Sequence, residues 1–579
     1  MALRFLAMIE RGKGGHAAVA LAPLAALGLK PVPMSGRLTL WTSETAQVMK
    51  TASGRALVLG RLFTRSDRPQ RVVALGPAFE QHEDLPTLLT DRFWGQYVAI
   101  SRCALGSTQI YRDPSGALPC YVRETADAIF LFSDFDLAVA AGLVVPTIDW
   151  HAMAASLLRP ALRSATTVLC DIYEIPQGWV LGVGGAQYAA LRQQWSPWHY
   201  VRPTGLRRCD LREALQAAVV GTVRALASPF SQIQLCLSGG LDSSIVAAAL
   251  AGTNTTCLNL ISSGPEGDER GFASMVANHT GLKLVERSYS LDDVTIGRSS
   301  ALHLPRPVGS PGRQAFDAVN LQLAREVAAD AVFSGNGGDN IFCFTQSATS
   351  IADRLKSRGQ RMKAWRTVAD VCELTGCSVW QAMSRALLKL PRSAAAYSWA
   401  SDLRFIHPDL AASLGSAAAE HSWLDAPVGA LPGRAAHIAA LLRPQNFSEG
   451  FPRADPIELV TPLLAQPILE LCLSIQTWQW IEGGRDRAVA RDAFANLLPA
   501  AITGRRTKGG PGAFYRQIVD RYRVAIREQL LEGELSSRKL IDRTAIEAFF
   551  QNPIDAQGDS YVRVLTLSDA ESWIRARLN

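Results

Sequence analysis

The chain has 579 residues, 48% of them hydrophobic and 19% charged, with a formal net charge of +7. That length is too great for one core and predicts two domains, and the composition excludes a disordered chain. The modest positive balance, without basic runs interleaved with aromatics, excludes a dedicated nucleic-acid binder and leaves an anionic small ligand open. In chain order, HAAVALAPLAALGLKPVPM after Arg11 and Lys13 resembles a secretory apolar region. It carries an internal proline, lacks a small-residue cleavage site and runs on into strand-like sequence, so no leader is expected. No uninterrupted run of about 18 apolar residues follows, so no membrane span is expected. Up to about Trp198, short runs such as RLTLW, RALVLGRLF, GQYVAIS, AIFLFS and GWVLGVG, broken by Gly, Pro, Asp and Ser, predict a mostly antiparallel β domain with a few helices. SPWHYVRPTG reads as a linker and divides the chain into residues 1–205 and 206–579. CDLREALQAAVVGTVRALA is an amphipathic helix, after which strands (IQLCLS, TTCLNLIS, AVFSGNG) alternate with helices (RGFASMVANHTG, AVNLQLAREVAAD). That alternation predicts a parallel sheet covered on both faces. Residues 351–442 and those from Leu530 onward read as helical elaborations. The ten cysteines are scattered from Cys103 to Cys472 with no CxxC, which excludes zinc-ligand spacing and suits a reducing cytoplasm.

The stretch QLCLSGGLDSSIVAAAL, Gln234 to Leu250, is a strand, a tight turn and a helix. Such turns lie at the carboxyl ends of parallel strands, where open α/β sheets bind ligands. Gly239 and Gly240 let backbone approach phosphate, Ser238, Ser243 and Ser244 offer hydroxyls, and the following helix offers its positive end. Asp242 makes sense beside phosphate only with Mg²⁺ between them. The chain has no GxxxxGK[ST], so a lysine-free loop holding pyrophosphate suits cleavage between the α- and β-phosphates of ATP, which is adenylation. VFSGNGGDNIF, Val332 to Phe342, is a second strand and glycine turn, with Ser334, Gly335 and Asp339, whose carboxylate could share the metal. In LLPAAITGRRTKGGPGAF, Lys508 could reach a site and stabilise developing negative charge, or simply be solvated.

Together with ELVTPLLAQPILELCLSI and GGRDRAVARDAF, these strings resemble the synthetase domain of the asparagine synthetase family. IYRDPSGALPCYV, YEIPQGWVLGV and RQQWSP extend the resemblance into the N-terminal half, over roughly Arg37 to Phe514. The resemblance implies an α/β architecture: an N-terminal glutaminase-like (Ntn-type) α+β sandwich, then a parallel-sheet ATP-pyrophosphatase domain of the adenine nucleotide alpha hydrolase type. It implies ATP and Mg²⁺ as cofactors. It places the nucleotide near Leu237, Ser238, Gly239, Gly240, Asp242, Ser243, Ile261, Ser334 and Gly335, the metal on Asp242 and Asp339, and Lys508 in catalysis.

Two departures shape the expected activity. Ala2 stands where glutamine-using relatives expose a cysteine, and alanine cannot serve as the nucleophile of a glutaminase. Asn336 stands where asparagine-forming relatives have a glutamate and β-lactam-forming ones a tyrosine, and Thr345 lies near another expected tyrosine. Glu449 and Glu458 are the candidate bases for an attacking amine, or structural carboxylates. The profile is most like the lasso-peptide macrolactam synthetases, which join a peptide's own amine to an Asp or Glu side chain. That implies a precursor core peptide as partner, with a leader peptidase and a leader-binding protein beside it. The alternatives are a β-lactam-type or other small-molecule amide synthetase, or a non-catalytic nucleotide- or peptide-binding relative. The basic stretch RLKSRGQRMKAWR, Arg354 to Arg366, reads either as a peptide groove or as a solvated helix face.

Overall fold

The computed structural model describes all residues except 1–2, 12–20, 35–36, 44–47, 83, 103–106, 185–186, 204, 263–266, 391–396, 415–419, 454, 456, 508, 554–557 and 579. The N-terminal half holds two antiparallel sheets. One has six strands in the order Ile172–Glu174, Tyr121–Glu124, Ala128–Phe132, Phe5–Glu10, Leu38–Ser43, Leu29–Val32. The other runs Gln187–Gln193, Trp179–Gly184, Thr108–Arg112, Phe93–Arg102, Ala56–Thr64, Val48–Lys50, with Arg71–Val72 paired beside Ala56–Thr64.

The layering follows from strand alternation. In Ala56–Thr64, Leu57 and Leu59 point into the core shared with Phe5, Ala7, Leu40 and Leu131 of the other sheet. Val58 and Leu62 face the opposite way, onto Phe79, Leu85 and Leu89 of flanking helices. The six-stranded sheet likewise turns Leu6, Met8, Phe130 and Phe132 away from its partner, onto the helices Phe135–Ala140 and Trp150–Leu158. The result is helix, sheet, sheet, helix. Both faces of each sheet are covered, which explains strands with little polar alternation, and each fully buried Leu or Phe contributes about 2 kcal/mol.

The C-terminal half is built on a five-stranded sheet in the order Lys283–Ser288, Thr255–Ile261, Ile233–Cys236, Ala331–Ser334, Glu458–Val460, every neighbouring pair parallel. The helix Arg208–Ala227 buries Leu211, Leu215, Val219, Val223 and Leu226, spaced at three and four residues, against this sheet's core. The two halves do not keep separate cores. Leu6, Met8 and Phe132 share one cluster with Phe514, Ile526, Val564 and Trp573 of the C-terminal helices. Among the described residues no helix is long and apolar enough to cross a membrane.

Candidate nucleotide site

The first glycine turn follows Ile233–Cys236 and opens the helix Leu241–Leu250. Gly239 has φ +72°, and a Cβ there would fall 2.6 Å from the Ala273 amide nitrogen, so only glycine fits. The turn is tied before any ligand arrives. The Gly240 amide donates to Ser238 Oγ at 3.2 Å, the Ser238 amide donates to Ser243 Oγ at 3.3 Å, and the Ser244 hydroxyl donates to Gly240 O at 2.7 Å. Asp242 lies in the helix's first turn, where the positive end of the dipole favours a carboxylate.

The second turn nests on the first. A Cβ on Gly335 would sit 2.6 Å from the Ser243 amide nitrogen, and one on Gly338 would sit 2.3 Å from the Asp242 carboxyl carbon. The glycines of GNGG are therefore what let the strands Ile233–Cys236 and Ala331–Ser334 bring their turns, and their aspartates, together.

Asp242 and Asp339 meet on one guanidinium. Arg487 Nη1 donates to Asp242 Oδ1 at 3.1 Å and to Asp339 Oδ1 at 2.5 Å, and Nε donates to Asp486 Oδ1 at 2.7 Å. Burial works to lower the Arg487 pKa, but the carboxylates of Asp242, Asp339 and Asp486 override it and hold the guanidinium above its ordinary value. Among the described residues no cluster of three or more His, Cys, Asp or Glu could hold a metal. Two convergent carboxylates nonetheless fit Mg²⁺, which takes one or two protein carboxylates and completes its shell with phosphate and water.

These turns wall a cleft of about 530 Å³. Leu237, Ser238, Gly240, Asp242, Ser243, Ser334 and Gly335 line it; Gly239, Ile261 and Asp339 are not among its lining residues. Ile261 ends the strand Thr255–Ile261. Lys508 lies outside the described residues; Thr507 and Gly509 beside it line the cleft. Arg505, which sequence reasoning passed over, clamps the rim. Its guanidinium donates to Gly239 O at 3.2 Å and Glu269 Oε1 at 2.7 Å, and lies 3.9 Å from the Phe272 ring centre. Arg487 was passed over too, although GGRDRAVARDAF was part of the resemblance; glycines ahead of a short helix of alternating Arg and Asp were the available signal.

Glu449 and Glu458 are placed elsewhere. Neither lines the nucleotide cleft; both border a second cavity, of about 270 Å³, between the two halves of the chain, Glu449 buried and Glu458 partly so. Glu458 accepts a two-pronged bond from Arg61 at 2.7 and 2.6 Å. Glu449 accepts from Arg306, Arg163 and the Tyr121 hydroxyl. Burial pushes both carboxyls up, but Arg61 in one case and Arg163 with Arg306 in the other outweigh it and hold them below the usual range. A carboxylate so stabilised in its ionised form, and away from the cleft, is a poor base for an amine there. The basic stretch divides: Arg354 and Arg358 line a separate cavity with Trp478, while Met362 and Trp365 are exposed.

With the turns, the carboxylate pair and the cleft in place, residues 210–575 match the asparagine synthase family. The chain belongs to that family. Its members are ATP-dependent, AMP-forming ligases of carbon–nitrogen bonds, and this asparagine synthase relative is an enzyme of that kind. No curated protein matches the chain. Similar solved structures include the allosteric regulatory enzyme of purine biosynthesis, at 8% identity over 57% of this chain and 89% of that one, with a TM-score of 0.22. Another is glutamine phosphoribosylpyrophosphate amidotransferase from B. subtilis complexed with ADP and GMP, at 9% identity over 57% and 90%, also with a TM-score of 0.22. At that distance neither bears on the activity of this chain.

Proposed function

We propose that this enzyme is a peptide macrolactam synthetase that adenylates an Asp or Glu side chain of a precursor peptide and closes a ring onto the peptide's N-terminal amine. One observation carries the reading. The carboxylates lining the cleft among the described residues are Asp242 and Glu269, and each is bound to an arginine, Arg487 and Arg505. With Asn336 at the cleft wall in place of an acid, every carboxylate that lines the cleft among the described residues is held by an arginine and is poorly placed to hold or deprotonate ammonium. A tethered amine needs neither, because holding both ends of one chain together supplies an effective molarity of about 10⁵ M or more.

In the proposed mechanism, backbone amides of Ser238 to Ser243 cradle the β- and γ-phosphates, and adenosine packs by Leu237, Ile261, Ser334 and Gly335. Asp242 and Asp339 would hold Mg²⁺, which when bound neutralises phosphate charge. The peptide carboxylate forms a bond to the α-phosphorus as the bond to pyrophosphate breaks. The amine then attacks the acyl carbon, AMP leaves with the acyl–oxygen electron pair, and the amine proton passes to solvent. Lys508 is assigned the negative charge that develops at the acyl oxygen. A leader peptidase and a leader-binding protein would supply the peptide. The test offers ATP with a synthetic peptide bearing a free amine and an internal Asp or Glu, and separately with small amino-acid derivatives. A peptide product lighter by one water, with AMP released, is expected; turnover of small acids alone would instead identify a small-molecule amide synthetase.

A further inference from the structure

We infer that Arg487 is a built-in counter-cation that reserves the Asp242–Asp339 pair for metal arriving together with nucleotide. The inference rests on the adenylation reading above. A single atom, Nη1, bonds both carboxylates, at 3.1 Å to Asp242 and 2.5 Å to Asp339. An ion bridging these oxygens would need that same place, at about 2.1 Å from each oxygen. Guanidinium and divalent ion cannot both stand there, because each excludes the other by size and by charge.

The side chain is held so that this competition is specific. Arg487 sits at φ +50°, a left-handed position at the start of the helix Ala488–Ala493, which aims it back at the two turns. Asp486 accepts from Arg487 Nε and from Arg491 Nη2 at 2.8 Å, and Arg491 Nε is anchored on Asp486 O at 2.7 Å. Nε is thus braced on Asp486 while Nη1 carries both carboxylates. On one side lie the carboxylates, on another the ring of Phe344, 5.3 Å from the guanidinium and 45% exposed. Arg487 itself lines the cleft, so incoming phosphate oxygens offer it a new anionic partner while metal takes the carboxylates. Metal binding is thereby conditional on nucleotide, and the empty enzyme keeps its two acids together without sequestering free divalent ions.

The experiment measures Mn²⁺ binding to the full chain, by loss of the free-ion electron paramagnetic resonance signal, with and without α,β-methylene ATP. Wild type should bind Mn²⁺ weakly alone and tightly with the nucleotide analogue. R487M should bind Mn²⁺ alone about tenfold or more tighter, since a positive charge at contact distance has gone, and adding D339N should abolish the gain. R487K, which keeps the charge but cannot reach Asp486 and both carboxylates at once, should show a smaller gain; it also serves if R487M fails to fold by circular dichroism. Equal Mn²⁺ affinity of wild type and both variants without nucleotide overturns the inference. If Mn²⁺ still binds with the analogue in that case, the adenylation reading survives it; if no protein binds Mn²⁺ even with the analogue, both fall.

Discussion

Two buried arginine–carboxylate clusters in this molecule have opposite stoichiometry. Between the N-terminal sheets and the C-terminal half, two carboxylates, Glu174 and Glu449, are shared by the three guanidiniums of Arg112, Arg163 and Arg306. At the cleft, two guanidiniums, Arg487 and Arg491, are shared by the three carboxylates of Asp242, Asp339 and Asp486. Access differs as well: the Glu449 side chain is 4% exposed, that of Asp339 36%. In the first cluster each carboxylate is held by at least two guanidiniums, although Glu449 also borders a cavity of about 270 Å³, and its charges bind the two halves of the chain to each other. The second borders the nucleotide cleft, which Asp242 and Arg487 line, so a ligand there can compete for its carboxylates. The same chemistry thus locks in one place and receives ligand in the other, and what decides is which partner is in excess and whether a ligand can reach it.

Breaking each cluster should give different losses. Asp339→Asn should lower ATP–pyrophosphate exchange by about 10³-fold, or about 4 kcal/mol, with little change in melting temperature; exchange at the wild-type level would erase the functional half of the contrast. Glu449→Ala should leave the guanidiniums of Arg163 and Arg306 short of a partner in the interior and cost about 3 kcal/mol in urea unfolding. A cost near zero would show the interdomain cluster to be dispensable.

The subtler Glu449→Gln sharpens the point through pH. Arg163 and Arg306 outweigh burial and depress the Glu449 pKa below its ordinary 4.5. A depressed acid contributes stability that is fully present above 4.5 and is lost as pH falls through the lower folded value. The gap between wild type and Glu449→Gln, about 2 kcal/mol at neutral pH, should therefore close as the solution is acidified below pH 4.5. Melting curves from pH 7 to about pH 3 would show it, and a gap unchanged across that span would mean the carboxylate is not ionised in the fold. The smallest effect is expected from Gly335→Ala. Its Cβ, 2.6 Å from the Ser243 amide nitrogen, must push the two turns apart, raising KM for ATP about tenfold, or about 1.4 kcal/mol. An unchanged KM would mean that the nesting of the turns does not shape the nucleotide site.

Much of the synthetase half was legible because its signals are local. A buried strand, a glycine turn and a helix lie within Gln234 to Leu250 and again within Val332 to Phe342, and short-range sterics decide both. The partners of the charged residues were not legible. Arg61 is 397 positions from Glu458, and Arg487 is 245 from Asp242. Glu458 beside TPLL reads as an acid near a site until Arg61 is seen gripping it, and Arg487 reads as one solvated charge among several in GGRDR. The division at residue 205 marks where strand-rich sequence gives way, yet Met8 and Trp573 share one core.

By itself, then, the order of residues determined the α/β architecture with an antiparallel half followed by a parallel one, the two glycine turns, and the aspartate each carries, because these depend on side-chain periodicity and on backbone that only glycine can adopt. Tertiary structure alone decided which carboxylates serve and which are spent. Ionic partners are chosen by packing across hundreds of residues, and a buried acid's role follows from the cation that reaches it first.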